Sequence, residues 1–311
     1  MTQQHLKDQA NRLDGIDYLR TVALVLVFVQ HQLSVLDLEQ YNSLLGLRIG
    51  QIGVSLFLAV SGVLAAQGSR PPFDWLRARL IRIYPAYWVA TAVGFIGAGL
   101  SGYKEFGVPQ IISQFVGIGL YTHNENLVNA VTWFISLLLT LYVIVYLAKL
   151  SRHPNAIVLV LAVVAVLLVC LKVQPLMAAH SLTFLACFLL LSKRKESDRL
   201  PTVILGVVLL LASIKFRTMA YPALSLFALS TVLHARPVPR VIMAMSSYSY
   251  EFYLCHGICL VACHQFVTSS LALSVGAGIV SSVLAAIGLH HFVEYALKFF
   301  QKPKEPTDVQ R

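Results

Sequence analysis

The feature that most constrains this chain is a succession of apolar runs, most of them long enough for a helix to cross hydrocarbon. Ten can be counted, over residues 18–36, 44–67, 83–101, 130–149, 156–172, 176–192, 202–215, 219–234, 246–268 and 271–298. A run of ~17–23 residues matches the ~20 that span about 30 Å of bilayer core. Composition agrees: of 311 residues, 57% are hydrophobic and 12% charged, about half the charged share of an average soluble domain. The chain therefore reads as an all-α integral membrane protein of about ten transmembrane helices. The runs 202–215 and 219–234 are the least regular, being short and interrupted by Lys215, Arg217 and Pro222. The stretch 110–121 is too short to span and is expected to be interfacial or re-entrant. Residues before Tyr18 are polar and no small-residue cleavage site follows the first run, so that run is expected to be a retained helix.

The net charge of +10 does not point to nucleic acid, because the cations are sorted by side. With the N-terminus inside, nineteen of the 24 lysines and arginines fall on one side. The other five are Arg48, Lys104, Lys172, Lys215 and Arg217. This asymmetry over short loops is the positive-inside pattern and places both termini in the cytoplasm. The whole chain reads as one membrane domain, 1–311. It comprises a cytoplasmic N-terminal segment 1–17, a helical bundle 18–298 and a polar, Pro-containing cytoplasmic tail 299–311. The gap 102–129 is too short to fold alone. No Walker loop is present.

Five cysteines give no disulfide framework. Cys255, Cys259 and Cys263 recur every fourth residue beside His256 and His264. Eight residues of helix spread them over about 12 Å, too far for one ion. No metal is expected, and small side chains at a helix–helix seam are the simpler reading.

In hydrocarbon the ionisable residues carry the information. Arg20 and His31 lie eleven apart, about three whole turns, so they share a helix face about 16 Å apart along the axis. Arg20 alone would be explained by snorkelling to head groups. The pair reads instead as the wall of a polar cavity, with a cation at its cytoplasmic end and an imidazole deeper in. Arg79 and Arg82 share a face at i, i+3 and could hold one polyanion with two guanidinium forks. Glu251 and His256 are about 140° apart and do not pair on one helix. His290 and Glu294 stand at i, i+4, spaced for a structural hydrogen bond. His123, His153 and His234 fall in loops.

Taken in order, these residues resemble the acyltransferase-3 family of multi-pass membrane O-acyltransferases. Leu13-Asp14-Gly15-Ile16-Asp17 matches the element that opens its first helix, followed by an arginine and, eleven residues on, a histidine. GVSLFLAVSGVL (Gly53 to Leu64) matches its second helix. An RxxR-I-Y-P-x-Y-W element stands at Arg79 to Trp88, and W-x-[IL]-S at Trp133 to Ser136. SYEFYLCH (Ser249 to His256) matches a later S-Y-x-x-Y-L-x-H. The elements cover roughly 13–300.

The resemblance implies transfer of an acyl group, usually acetyl from acetyl-CoA, to a hydroxyl of a cell-surface or exopolysaccharide sugar or its lipid-linked precursor. It implies a site in the cytoplasmic (inner) membrane of a bacterium. Arg79 and Arg82 would hold the coenzyme A phosphates and Arg20 would line the donor entry. His31 would be general base or transient acyl carrier. Ser61, Tyr84, Trp133, Ser136, Glu251 and His256 would line the acceptor site or support it. The partners implied are the bilayer, acyl-CoA and a glycan or lipid-linked oligosaccharide; no tightly bound cofactor is expected. Two departures stand out. The glutamate that often follows W-x-x-S is replaced by SLLLTLY, and the fused extracytoplasmic hydrolase-like domain of some members is absent, as in the single-domain members. Buried Arg, His and Glu would also suit a non-catalytic secondary transporter or flippase for a glycan or lipid-linked sugar, although no repeat relates the halves. A third reading is an assembly subunit, in which changing His31 would alter complex formation and no chemistry.

Overall fold

The structure, a computed structural model, describes residues 15–67, 70–102, 105–192, 199–232, 238–266 and 270–301. Leu13, Asp14, Lys104, His234, and the end segments 1–14 and 302–311 lie outside the described residues.

Each apolar run becomes a helix. The first three are α1 (Gly15–Val35), α2 (Ile49–Ala66) and α3 (Pro72–Ser101). Two short helices follow, α4 (Val108–Val116) and α5 (Gly119–Thr122), then α6 (Trp133–Leu150), α7 (Pro154–Cys170) and α8 (Pro175–Ser192). The rest are α9 (Leu200–Ala212), α10 (Ala220–Val232), α11 (Arg240–Ser247), α12 (Ser249–Phe266) and α13 (Leu271–Gln301). Proline stands in the first turn of α3, α4, α7 and α9, where its missing N–H costs nothing and its fixed φ suits a helix start. Among the described residues the only strand pairing is β1 (Ser43–Leu44) with β2 (Leu47–Arg48), a small hairpin.

Five helical stretches are long and apolar enough to cross a membrane: α1, α2, α3, α6 with the turn before it, and α13. With the shorter apolar helices α7, α8 and α9, they make this an all-α, multi-pass membrane protein.

α2 is the centre of the bundle, packed by α1, α8 and α10. Its glycines permit this closeness. A Cβ on Gly53 would stand 2.6 Å from the Ala23 carbonyl oxygen of α1, and one on Gly62 would strike the Phe184 carbonyl of α8. Small residues at such contacts let helix backbones approach where lipid supplies no hydrophobic drive. Three hydroxyls tie α2 to α10 and α8: Ser225 donates to Ser55 at 2.9 Å, and Ser55 lies 3.0 Å from Thr183. α1 also packs on α11 and α12, and α12 on α3 and α13.

The stretch read as interfacial or re-entrant folds as α4 and α5, lying against the middle of α3. Tyr84 donates to the Val116 carbonyl at 2.7 Å and Trp88 to the Phe115 carbonyl at 2.9 Å. Tyr87 donates to the Gln114 carbonyl. The Phe115 and Val116 carbonyls stand at the end of α4, which has no next turn to supply amides, and the Gln114 carbonyl also accepts from Gly117 N–H at 3.1 Å. Each bond is worth about 0.5–1.5 kcal/mol net, and an unmet carbonyl in an apolar setting would cost about 1–3. At Gly117 the chain turns back with φ +86°, and a Cβ there would meet Leu139 of α6 at 2.6 Å. On the far side Leu120 N–H donates to Ser136 Oγ at 3.4 Å, and Tyr121 hydroxyl to Thr140 Oγ1 at 2.9 Å. The segment is thus a short helical hairpin clasped between α3 and α6.

Candidate functional site

The three arginines singled out in the sequence converge. Arg20 of α1 and Arg79 and Arg82 of α3 line one cavity of ≈ 90 Å³ at the end of the bundle where α1 begins. Ser61 of α2, Phe134 and Tyr142 of α6, and Tyr250 and Tyr253 of α12 complete it. Arg79 is anchored. Its Nη2 donates to the Leu64 carbonyl at 2.6 Å, in the last turn of α2. Its guanidinium lies 5.6 Å from the ring centres of Trp75 and Tyr142. A cation is favoured both at a helix C-terminus and over an aromatic face. Arg82 is exposed and reaches the mouth. Tyr250 fixes α12 to α3 by donating to the Ile83 carbonyl at 2.9 Å.

His31 does not border that cavity. It lines a second one of ≈ 360 Å³, nearer the other end of the bundle, with Ser34, Gly94, Asn129, Val131 and Gly257 among its walls. The sequence suggested one polar cavity running from Arg20 to His31; the structure has two. Between them stand aromatic side chains brought in by α2, α6 and α12, which the periodicity of α1 could not reveal.

His31 is paired with His256. His256 is fully buried. Its Nδ1 lies 2.8 Å from the Tyr253 carbonyl and 3.2 Å from that of Phe252. Two acceptors at one ring nitrogen assign the proton to Nδ1 and leave Nε2 as an acceptor. That Nε2 faces His31 Nδ1 at 3.4 Å, while His31 Nδ1 also lies 2.8 Å from the Val27 carbonyl. The same reasoning puts the His31 proton on Nδ1, shared between a carbonyl and an imidazole. His31 Nε2 is then the ring nitrogen with a free lone pair. Phe28, Phe252 and Tyr253 surround His256 at ring-centre distances of 6.2, 6.0 and 5.7 Å, so the dyad is held by packing.

The turn before α6 forms the opposite wall. Asn129 donates to the Leu254 carbonyl at 2.7 Å, and Tyr253 hydroxyl donates to the Val131 carbonyl at 2.7 Å. Tyr253 thereby touches both cavities, with its ring in the first and its hydroxyl on a wall residue of the second.

The other named residues lie elsewhere. Tyr84 holds the hairpin. Ser136 is buried and accepts from Leu120. Trp133 leans on His180 of α8 at 6.0 Å. Glu251 is apart from the dyad: its Oε1 is 3.1 Å from His290 Nδ1 on α13. The spacing of His290 and Glu294 suggested a bond between them. Instead Glu294 pairs with Lys298 at 2.8 Å, because α12 offers His290 a nearer carboxylate. Cys255 and Cys259 line an apolar crevice of ≈ 280 Å³ between α3, α12 and α13, and Cys263 lies 3.3 Å from Ser281 of α13. They occupy a helix–helix seam.

Sequence reasoning passed over His180. It is fully buried and its Nε2 lies 2.8 Å from Gln51 Oε1. The signal was available, since a histidine inside the apolar run 176–192 needs a compensating partner. Tyr253, Phe57 and Phe134 were also missed as cavity walls, and nothing in an apolar run distinguishes them.

No curated protein and no solved structure matches the chain. The family model described as an acyltransferase domain (Acyl_transf_3) matches residues 13–291. That is nearly the whole length, and it takes in Arg20, His31, the arginine pair and His256: the chain belongs to the acyltransferase-3 family of membrane proteins.

Proposed function

We propose that the protein is an O-acyltransferase of a bacterial cytoplasmic membrane, with both termini cytoplasmic and about ten membrane-crossing or membrane-embedded helices in one domain. It moves acetyl from acetyl-CoA to a hydroxyl of a cell-surface or exopolysaccharide sugar or its lipid-linked precursor. The observation that carries the reading is the placement of the charged and titratable groups. Three guanidinium groups border a cavity at the basic end, and His31, paired with His256, borders another beyond it, with Tyr253 in the partition.

Arg79, Arg82 and Arg20 suit the phosphates of coenzyme A, since a guanidinium forks onto phosphate oxygens with charge-assisted bonds. For a donor anchored there to react, its thioester arm must pass the rings of Phe57, Phe134 and Tyr253 and bring the carbonyl to the His31 side. The acceptor occupies the larger cavity. Its hydroxyl is a poor nucleophile until a base near neutrality takes its proton, a task that imidazole suits. His31 Nε2 takes that proton as the hydroxyl oxygen attacks the thioester carbonyl carbon. A C–O bond forms, the C–S bond breaks, and sulfur leaves as the thiolate that His31 then reprotonates. His256 acts as a positioning residue: accepting from His31 Nδ1–H, it holds the tautomer and shares the charge of the imidazolium. Transient acylation of His31 itself fits the same placement.

Two cavities divided by an aromatic partition also suit a carrier with alternating access. One experiment separates the readings. Membranes containing wild type or His31→Ala receive labelled acetyl-CoA and a glycan extract, and free thiol and glycan label are followed. Thiol release and glycan labelling by wild type, both lost in His31→Ala at equal protein level, are expected. A wild type that consumes no acyl-CoA with a broad acceptor extract would favour transport.

A further inference from the structure

Acyl transfer at His31 needs one more group than a base. When an oxygen attacks the thioester carbonyl, negative charge gathers on the carbonyl oxygen, and a fixed hydrogen-bond donor aimed at that oxygen is usually the largest single aid to the reaction. His31 cannot supply it, because its Nε2 is the base and its Nδ1 proton is shared by Val27 and His256. Asn129, on the facing wall, gives its amide to the Leu254 carbonyl. Ser34 lines the same cavity in the last turn of α1, three residues beyond His31. Side chains at i, i+3 have Cβ atoms about 5–6 Å apart on one face, so one can hold the attacking oxygen and the other the carbonyl oxygen.

The hydrogen bonding of Ser34 is unlike that of its peers. Ser181, Ser230 and Ser282 give their hydroxyl protons to carbonyls one turn back, those of Met177, Phe227 and Gly278, at 2.9, 2.8 and 2.6 Å. Among the described residues Ser34 Oγ donates to none and accepts from Asn42 Nδ2 at 2.8 Å. Asn42 is buried and its backbone is held at both ends, N–H to the Glu39 carbonyl and carbonyl to Ile49 N–H. Its Oδ1 is left without a partner. Reversing the amide would bury an unmet NH₂ in that place, the rarer kind of orphan. The carbonyls ending α1 do not oppose an anion here, since those of Gln32, Leu33 and Ser34 accept from Leu36, Leu38 and Asp37 N–H in the turn that follows.

We propose that Ser34 is a catalytic residue whose hydroxyl donates to the thioester carbonyl oxygen as charge develops there, and that Asn42 is the positioning residue that holds it. The inference rests on the acyl-transfer reading above and adds the oxyanion donor of that same site. Ser34 keeps its proton throughout: the C–O bond forms, the oxyanion collapses, and the electron pair leaves with sulfur as the C–S bond breaks. Direct attack and transient acylation of His31 both pass through this oxyanion. The bond accepted from Asn42 strengthens the one Ser34 donates, because hydrogen bonds in series polarise one another.

The test reads thiol release from acetyl-CoA with a broad glycan extract, and equilibrium donor binding, in membranes containing full-length wild type or variants. Ser34→Ala is expected to lower kcat about 10²–10³-fold, the loss of one oxyanion donor. Donor binding and the pH profile of kcat should stay as in wild type, since His31 is still the base. Ser34→Thr keeps a hydroxyl and should recover most of the rate. Asn42→Ala should cost about two- to tenfold, and adding it to Ser34→Ala should lower kcat no further. A merely structural Ser34 would reduce the number of donor-binding sites and leave turnover per site unchanged; that result overturns the proposal. A loss confined to KM overturns it as well. Wild type that releases no thiol removes the acyl-transfer reading and this assignment with it, an outcome distinct from an active wild type matched by Ser34→Ala.

Discussion

The arginine cavity and the histidine cavity are built from different materials. The first is small, with one of its charged groups fixed in place: Arg79 is tied to the Leu64 carbonyl and set against two aromatic rings. The second is some four times larger and lined by small or uncharged residues such as Gly94, Gly97, Ser34 and Asn129, with His31 as its titratable group. A wall of cations, one of them anchored, suits a ligand portion that never varies, whereas a roomy wall of small residues tolerates partners of differing shape. On the proposed function, recognition of the donor is rigid and recognition of the acceptor is permissive.

The largest test of that contrast is His31→Ala. Removing the base should cost about 10²–10⁴-fold in transfer while acyl-CoA still binds, as measured by equilibrium binding to the variant. Loss of donor binding would merge the two cavities functionally and break the comparison. Next comes Arg79→Ala with Arg82→Ala. Charge-assisted bonds contribute about 1.5–3 kcal/mol each, so the apparent KM for acyl-CoA should rise about tenfold or more, with the acceptor KM little changed. Arg82→Ala alone sharpens this test, because Arg82 is exposed whereas Arg79 also closes the end of α2. His256→Asn should lower kcat roughly two- to tenfold, the worth of one hydrogen bond. Unlike a packing defect, it should also shift the pH profile of kcat, since the partner of the His31 proton has changed. The smallest effect is expected from Glu251→Gln. Its partly exposed pairing with His290 is worth at most about 1 kcal/mol, and transfer should stay well above that of His31→Ala. Equal loss in the two variants would move the acid–base centre to α12.

Much of this molecule is written in the sequence at the level of single helices. The apolar runs gave the long helices of the bundle, though not α11, and the i, i+3 spacing of Arg79 and Arg82 placed both on one cavity wall. What the sequence could not show is which side chains from other helices fill the space between. Arg20 and His31 do share α1, but Phe57, Phe134 and Tyr253 from α2, α6 and α12 separate the spaces they border. His290 found Glu251 on a neighbouring helix rather than Glu294 on its own. Tyr84 reads as a residue that lines or supports an acceptor site, and Tyr87 and Trp88 have no stated use; their bonds to the end of α4 became visible only with the hairpin in place. Pairings across helices have no signature along the chain, whereas periodicity and charge do.

The hairpin between α3 and α6 also bears on the order in which its contacts can form. α4 is nine residues long, about 13 Å of helix and under half of a ~30 Å bilayer core. Alone it has nothing to keep it between the leaflets, and its end would expose bare carbonyls to hydrocarbon. The groups that accept it come from two directions: Tyr84, Tyr87 and Trp88 are synthesised before it, Ser136 and Thr140 after it. The full set of contacts that holds the hairpin can therefore form only once α6 has been made and stands beside α3. A chain interrupted before residue 136 would lack the Ser136 and Thr140 side of the clasp altogether.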